Sequence, residues 1–127
     1  MAVEDLKQNK MMTHLLNALE EGKDIGHYGR LVFTMVARHF VDNDELVKLL
    51  AQDKDEGVDE AKALVQQVEE ADYSPPNRST ILGYHEQQDF PILPDADDPD
   101  VGNVYQDLTF PDHVYESISE YREQKAS

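Results

Sequence analysis

The 127-residue chain has no cysteine and no tryptophan, and only 11 Lys and Arg against 27 Asp and Glu. The missing cysteines exclude disulfides, thiolate zinc sites and cysteine-ligated iron–sulfur clusters. No apolar run approaches the roughly 18 residues that a membrane-crossing helix needs. No signal-peptide pattern is evident, so a soluble, intracellular protein with no membrane partner is expected. A net charge of −16 argues against a general nucleic-acid binder, because counterion release needs clustered Lys and Arg. Three readings stay open: a halophile's solvated surface, an acidic partner surface such as a nucleic-acid mimic, and a soluble protein whose binding site is local. The length suits one domain with a modest core.

A second absence is local. The 17 residues from Ile25 to Val41 carry no acid, although they also hold His27, Arg30, Arg38 and His39. At 100° per residue, His27, Arg30, Thr34 and Arg38 fall within an arc of about 80°, opposite Val32, Phe33, Met35 and Val36. A helix over Gly26–Phe40 would thus offer an apolar face to the core and a cationic stripe to its surroundings. His27 and Arg30 stand near its N-terminus, where free N–H groups and the macrodipole favour anions. Arginine adds a fork suited to phosphate, and histidine a donor that strengthens on protonation. The competing reading is that Arg30 and Arg38 pair with some of the many acids.

The rest of the chain also reads as mainly α, a single helical domain. Leu6, Met11, Met12, Leu15, Leu16 and Leu19 recur at helical spacing up to a stop at Gly22. Asp42 and Glu45 have capping-box spacing before Leu46, Val47, Leu49 and Leu50. Ala61, Leu64, Val65 and Val68 mark a fourth helix after a polar stretch. The prolines of 72–77 impose a turn or extended segment. A short helix is expected over Ser79–Gln88, and a last one from Pro111–Asp112 carrying Val114, Tyr115, Ile118 and Tyr121.

Between them lies a long Pro/Asp-rich loop, Asp89–Asn103, which only packing can pin, through Phe90, Ile92, Leu93, Val101 and Val104. Other constellations are weak. His14, His85 and His113 form no HxxxH or HExxH pair, so no metal site is expected. Residues 95–100, DADDPD, lack the glycine and terminal Glu of a calcium loop. There is no Walker motif and no nucleophile elbow.

The run from Met11 to Gly22 (MMTHLLNALEEG), followed by His27–Tyr28–Gly29–Arg30–Leu31–Val32–Phe33, resembles the C-terminal domain of the large subunit of archaeal and eukaryotic DNA primase. There a cysteine opens a helix of the pattern Cys-x₃-Leu-x₂-Ala-Leu, and a His-x-Gly-Arg-type segment opens the next. Asp72–Arg78 (DYSPPNR) resembles the family's DY-x-P-P turn before its second cysteine. Pro91–Pro94, Gly102–Tyr105 and Phe110–Asp112 resemble the regions of the third and fourth cysteines. The likeness spans about residues 10–116. It departs at the ligands, since the positions matching the four cysteines are Met11, Arg78, Leu93 and Gly102. The family's [4Fe–4S] cluster is therefore not expected here, and no other cofactor is. The small non-catalytic third primase subunit of some archaea is a precedent, and an engineered cluster-free form is equally compatible.

The resemblance implies a non-catalytic primase accessory domain rather than an enzyme. Its relatives grip the 5′-triphosphate of the initiating nucleotide, while nucleotidyl transfer lies with the catalytic small subunit. The partners implied are that subunit, a nucleoside triphosphate, and single-stranded DNA or an RNA/DNA primer-template. The implied setting in a prokaryote is cytoplasmic and nucleoid-associated. By position, His27 and Arg30 match the family's phosphate-gripping His and Arg, while Arg38 and Arg78 join them on charge and place. Phe33 stands near a family tyrosine without its hydroxyl, and Gly26 where some relatives have a further Arg. The alternative is a scaffold or protein-interaction domain that keeps the fold and has lost nucleotide binding.

Overall fold

The computed structural model describes residues 3–53, 57–94, 97 and 103–115. The helices are α1 (Val3–Leu6), α2 (Lys10–Glu20), α3 (Gly26–Ala37), α4 (Asn43–Leu50), α5 (Val58–Ala71), α6 (Arg78–Glu86) and α7 (Val104–Asp107). Residues 112–115 are helical as well, and no strand occurs among the described residues. The mainly α expectation therefore holds.

Helix α3 is the hub, touching α2, α4, α5 and α6. Its residues 32–37 are all buried, and Phe33 packs with Leu6, Met11, Leu16, Leu46 and Ile81 in one hydrophobic cluster. Burial of such side chains stabilises the fold by about 1.5–3 kcal/mol each. The polar exteriors of α4 and α5 leave that cluster as the main source of order.

The termini follow from named residues. Gly22 adopts φ +71°, and the N–H groups of Gly22 and Lys23 donate to the carbonyls of Leu19 and Ala18, a Schellman closure of α2. The Asp42 side chain accepts from Glu45 N at 2.8 Å, so the expected capping position does open α4. Asn77 caps α6 in the same way, accepting from Thr80 N at 2.9 Å.

Two boundaries differ from the sequence reading. The stripe from Leu6 to Leu19 is two helices, because buried Asn9 interrupts it: its Oδ1 caps α2 through Met12 N at 3.0 Å. A short polar side chain competes with the helix ladder and so converts a continuous apolar pattern into a break. The third helix ends at Ala37 rather than Phe40, with residues 38–40 in turns. Residues 73–77 are non-helical, as the prolines require, and Tyr105 Oη donates to the Pro75 carbonyl, tying this turn to α7.

Within the long loop, Ile92, Leu93 and Val104 are buried, and Phe90 stacks on His14 at 5.3 Å. Polar contacts help to pin it: His14 Nε2 lies 2.7 Å from Pro91 O, and Leu93 N donates to His85 Nδ1 at 3.2 Å. Val101, Gly102 and the last-helix residues Ile118 and Tyr121 lie outside the described residues.

Asn9 also donates from Nδ2 to Asp107 Oδ2 at 3.0 Å, joining α2 to α7. Replacing Asn9 by Ala removes cap and tether together and should lower stability by about 2 kcal/mol, read from the urea midpoint. Asn9→Ser keeps the cap and should recover roughly half of that loss.

Candidate functional site

The first turn of α3 is built by residues from three segments. Gly26 adopts φ +80°, and a side chain there would collide with Gln88, whose carboxamide is the clamp of this turn. Gln88 Nε2 donates to Ile25 O at 2.8 Å and Phe90 O at 3.0 Å, and Oε1 accepts from Tyr28 N at 3.0 Å. Asp53 Oδ2 accepts from Ile25 N at 2.8 Å, and Asp24 Oδ1 accepts from Gly26 N at 2.9 Å. The helix start has no side-chain cap from its own N-cap residue, Ile25. Carboxylates from neighbouring turns serve instead.

Arg30 follows His27 by three residues, closing this turn. Its Nη1 donates to Asp24 Oδ1 at 3.1 Å and to Asp53 Oδ1 at 3.3 Å. Side-chain exposure separates the two acids: 0% for Asp53, 13% for Arg30 and 48% for Asp24. Asp53 is thus a buried counter-ion that fixes the guanidinium. Asp24 is a half-exposed acceptor in the place an incoming anion would take, bonded at once to a helix N-terminal N–H and to the arginine. His27 is exposed on the same turn, and its ring meets Tyr28 edge-on at 5.2 Å. Tyr28 stacks on Tyr84 of α6 at 4.8 Å with 10° between planes, and its hydroxyl donates to Gln87 Oε1 at 3.2 Å.

The other arginines named from the sequence lie elsewhere. Arg38 follows the last residue of α3, 11 residues and so about 16 Å along the axis from His27. It donates from Nη2 to Asp72 Oδ1 at 2.7 Å and to Tyr73 O at 3.0 Å. Arg78 opens α6, whereas Tyr84 and Gln87, at the other end of that helix, reach α3's first turn. Only His27 and Arg30 share one turn.

The cationic stripe is not an outward-facing surface, which corrects that expectation. Thr34 is fully buried with its hydroxyl on Arg30 O, and the Arg38 side chain is 12% exposed. The reason is that Asp53, beyond α4, and Asp72, in a left-handed turn at φ 51° after α5, reach over the helix and meet its arginines.

At the positions matching the cluster cysteines, Met11 and Leu93 are buried in the apolar core and Arg78 is half-buried. Thioether, alkyl and guanidinium groups cannot replace thiolate ligands, so these residues do not fit an iron–sulfur cluster. Gly102 lies outside the described residues. Among the described residues, no group of three or more His, Asp or Glu is placed to hold a metal ion. No described helix is long and apolar enough to cross a membrane.

A second polar cluster sits at the far end of α3, where Arg38, His39, Asp72, Ser74 and His113 line a small cleft. His39 is buried, with its ring edge-on to Phe110 at 5.7 Å and 6.0 Å from that of His113. Burial, with Arg38 and His113 adding like charge and Asp72 opposing, pushes His39 down to about 4. Asp72 is held below the ordinary carboxylate value by its hydrogen bond from Arg38.

Sequence reasoning placed His27 and Arg30 together on one turn but did not anticipate Asp24, Asp53 and Gln88, which shape that turn. Asp24 borders the acid-free run and had a signal there. Asp53 and Gln88 are 23 and 58 residues distant from Arg30 and had none.

Because Asp53 is fully buried against Arg30, Arg30→Ala should lower stability by about 3 kcal/mol. The double variant with Asp53→Asn should lose less than the sum, giving a coupling of about 1–3 kcal/mol in a urea double-mutant cycle. The cluster at the far end predicts a pH profile. Between about pH 6.5 and 4 the unfolded chain binds a proton at His39 that the folded chain does not, so stability should fall as acid is added through that window. His39→Gln should flatten this part of a stability–pH curve, while the loss due to Asp72, below pH 3.8, should remain.

No family model, curated protein or solved structure matches the chain.

Proposed function

We propose that this chain is a non-catalytic accessory domain of primase large-subunit type, which holds the 5′-triphosphate of an initiating nucleotide at the start of α3. In this reading His27 and Arg30 grip the phosphates, a separate catalytic small subunit performs nucleotidyl transfer, and the template strand passes nearby. The observation that carries it is Arg30, whose guanidinium pairs with two acids of different exposure, buried Asp53 and half-exposed Asp24. A half-exposed ion pair is worth about 1 kcal/mol or less, so a multiply charged phosphate can displace Asp24 at small cost. The motif order around His27 and Arg30 supplies the link to primer initiation.

A second reading is favoured by a specific feature: Arg30 of α3 and Arg38 just after it are already paired with the chain's own carboxylates, in a protein of net charge −16. That arrangement suits a cluster-free scaffold that contacts other proteins and binds no nucleotide.

One titration separates the two. At low salt, ATP or GTP should shift amide resonances over residues 26–33. Arg30→Lys, which keeps the charge but loses the fork, should weaken the effect about tenfold, the equivalent of one charge-assisted hydrogen bond of about 1.5 kcal/mol. If ATP, GTP and single-stranded DNA all leave these resonances unmoved, the scaffold reading stands.

A further inference from the structure

Phosphate gripping at the first turn of α3 uses polar atoms and leaves its aromatic ring faces unengaged. His27 projects its imidazole into solvent, Tyr28 supports it edge-on, and Tyr84 fixes Tyr28 from behind by a near-parallel stack. Tyr28 is held at both ends, its hydroxyl by Gln87 and its backbone N–H by Gln88. His27 and Arg30 stand i, i+3 on the helix, with Cβ atoms about 5–6 Å apart. A ribose separates a base from its α-phosphate by a comparable span.

We propose that the exposed His27 ring, backed by the Tyr28–Tyr84 stack, is a stacking platform for the base of the nucleotide whose phosphates meet Arg30; this rests on the phosphate-binding reading above. It adds a second part to the one that the sequence position of His27 implies, the ring face beside the polar nitrogens. The ring offers a π face to the base, and Arg30 with the helix N-terminus faces the phosphates. Tyr28 and Tyr84 are positioning residues that hold the platform in plane. Stacking accepts any base, because every base presents a π face, so the site would discriminate nucleotides from bare phosphate chains rather than one base from another.

The test compares ATP, UTP and inorganic tripolyphosphate on the full chain by calorimetry, with amide shifts as a second readout. With a platform, both nucleotides bind about tenfold more tightly than tripolyphosphate, the lower end of what one stacked base contributes. Tyr84→Leu should remove that preference and leave tripolyphosphate affinity within about twofold, whereas His27→Ala should remove the preference and weaken tripolyphosphate as well. His27→Phe keeps a ring without its N–H and should retain the preference. Equal binding of ATP and tripolyphosphate overturns the platform while leaving the phosphate site standing. So does a His27→Phe variant whose preference for nucleotide over tripolyphosphate falls as far as that of His27→Ala, since the ring face would then contribute nothing. If neither ligand binds at all, both this inference and the phosphate-binding reading fall.

Discussion

A guanidinium drawn beneath the protein surface must be met by a carboxylate, and this constraint organises the molecule around α3. The helix touches four others, so it cannot turn its arginines to open solvent. Arg30 pairs with Asp53, whose side chain is fully buried, and Arg38 pairs through Nη2 with Asp72, which reaches it from the turn after α5. Each pair therefore fixes where a neighbouring segment ends. Asp53 stops the chain after α4 against α3's first turn, where it also receives the Ile25 N–H. Asp72 adopts a left-handed conformation that brings the 73–77 turn over α3's last residues.

The same economy decides what the α3 N-terminus can offer a ligand. A helix start is attractive to anions because its N–H groups are free, and here Asp24 and Gln88 occupy those of Gly26 and Tyr28. Asp24 also takes part of Arg30's capacity. An incoming phosphate therefore exchanges one partner for another instead of filling a vacant seat, against the long-range repulsion of a net charge of −16. Binding under such conditions is weak unless a second contribution adds to it, and the aromatic row at His27 lies where such a contribution would act. Open grooves of about 500 Å³, one between α4 and α5 and one beside Phe40 and Phe110, lie apart from this turn.

Much of the fold was legible in the chain because it depends on local rules. Helical periodicity marked α2, α3, α4 and α5, a short helix was expected where α6 lies, and the stops at Gly22 and Pro75–Pro76 and the cap at Asp42 acted as their chemistry requires. Asn9 was not legible as a break, because its value as a cap depends on burial and on a partner, Asp107, at the other end of the chain. The four-residue α7 was missed for a similar reason. So short a helix has no periodic signal and exists because Val104 is buried and Tyr105 bonds the Pro75 carbonyl.

For the α3 site, the sequence by itself determined the run free of acids from Ile25 to Val41 and the adjacency of His27 and Arg30 on one turn, because helix geometry follows from spacing. It also settled that no thiolate cluster can form. Only the tertiary structure decided that Arg30 pairs with buried Asp53, that Arg38 belongs to a separate cluster with Asp72 and His39, and that Tyr84 stacks on Tyr28 beside His27. Those outcomes depend on which segments pack over α3, and charge pairing across 23 or 34 residues has no periodicity in the chain to announce it. An acid-free stretch in an acidic protein draws its counter-ions from elsewhere, and which of the 27 acids answer is a property of the packing.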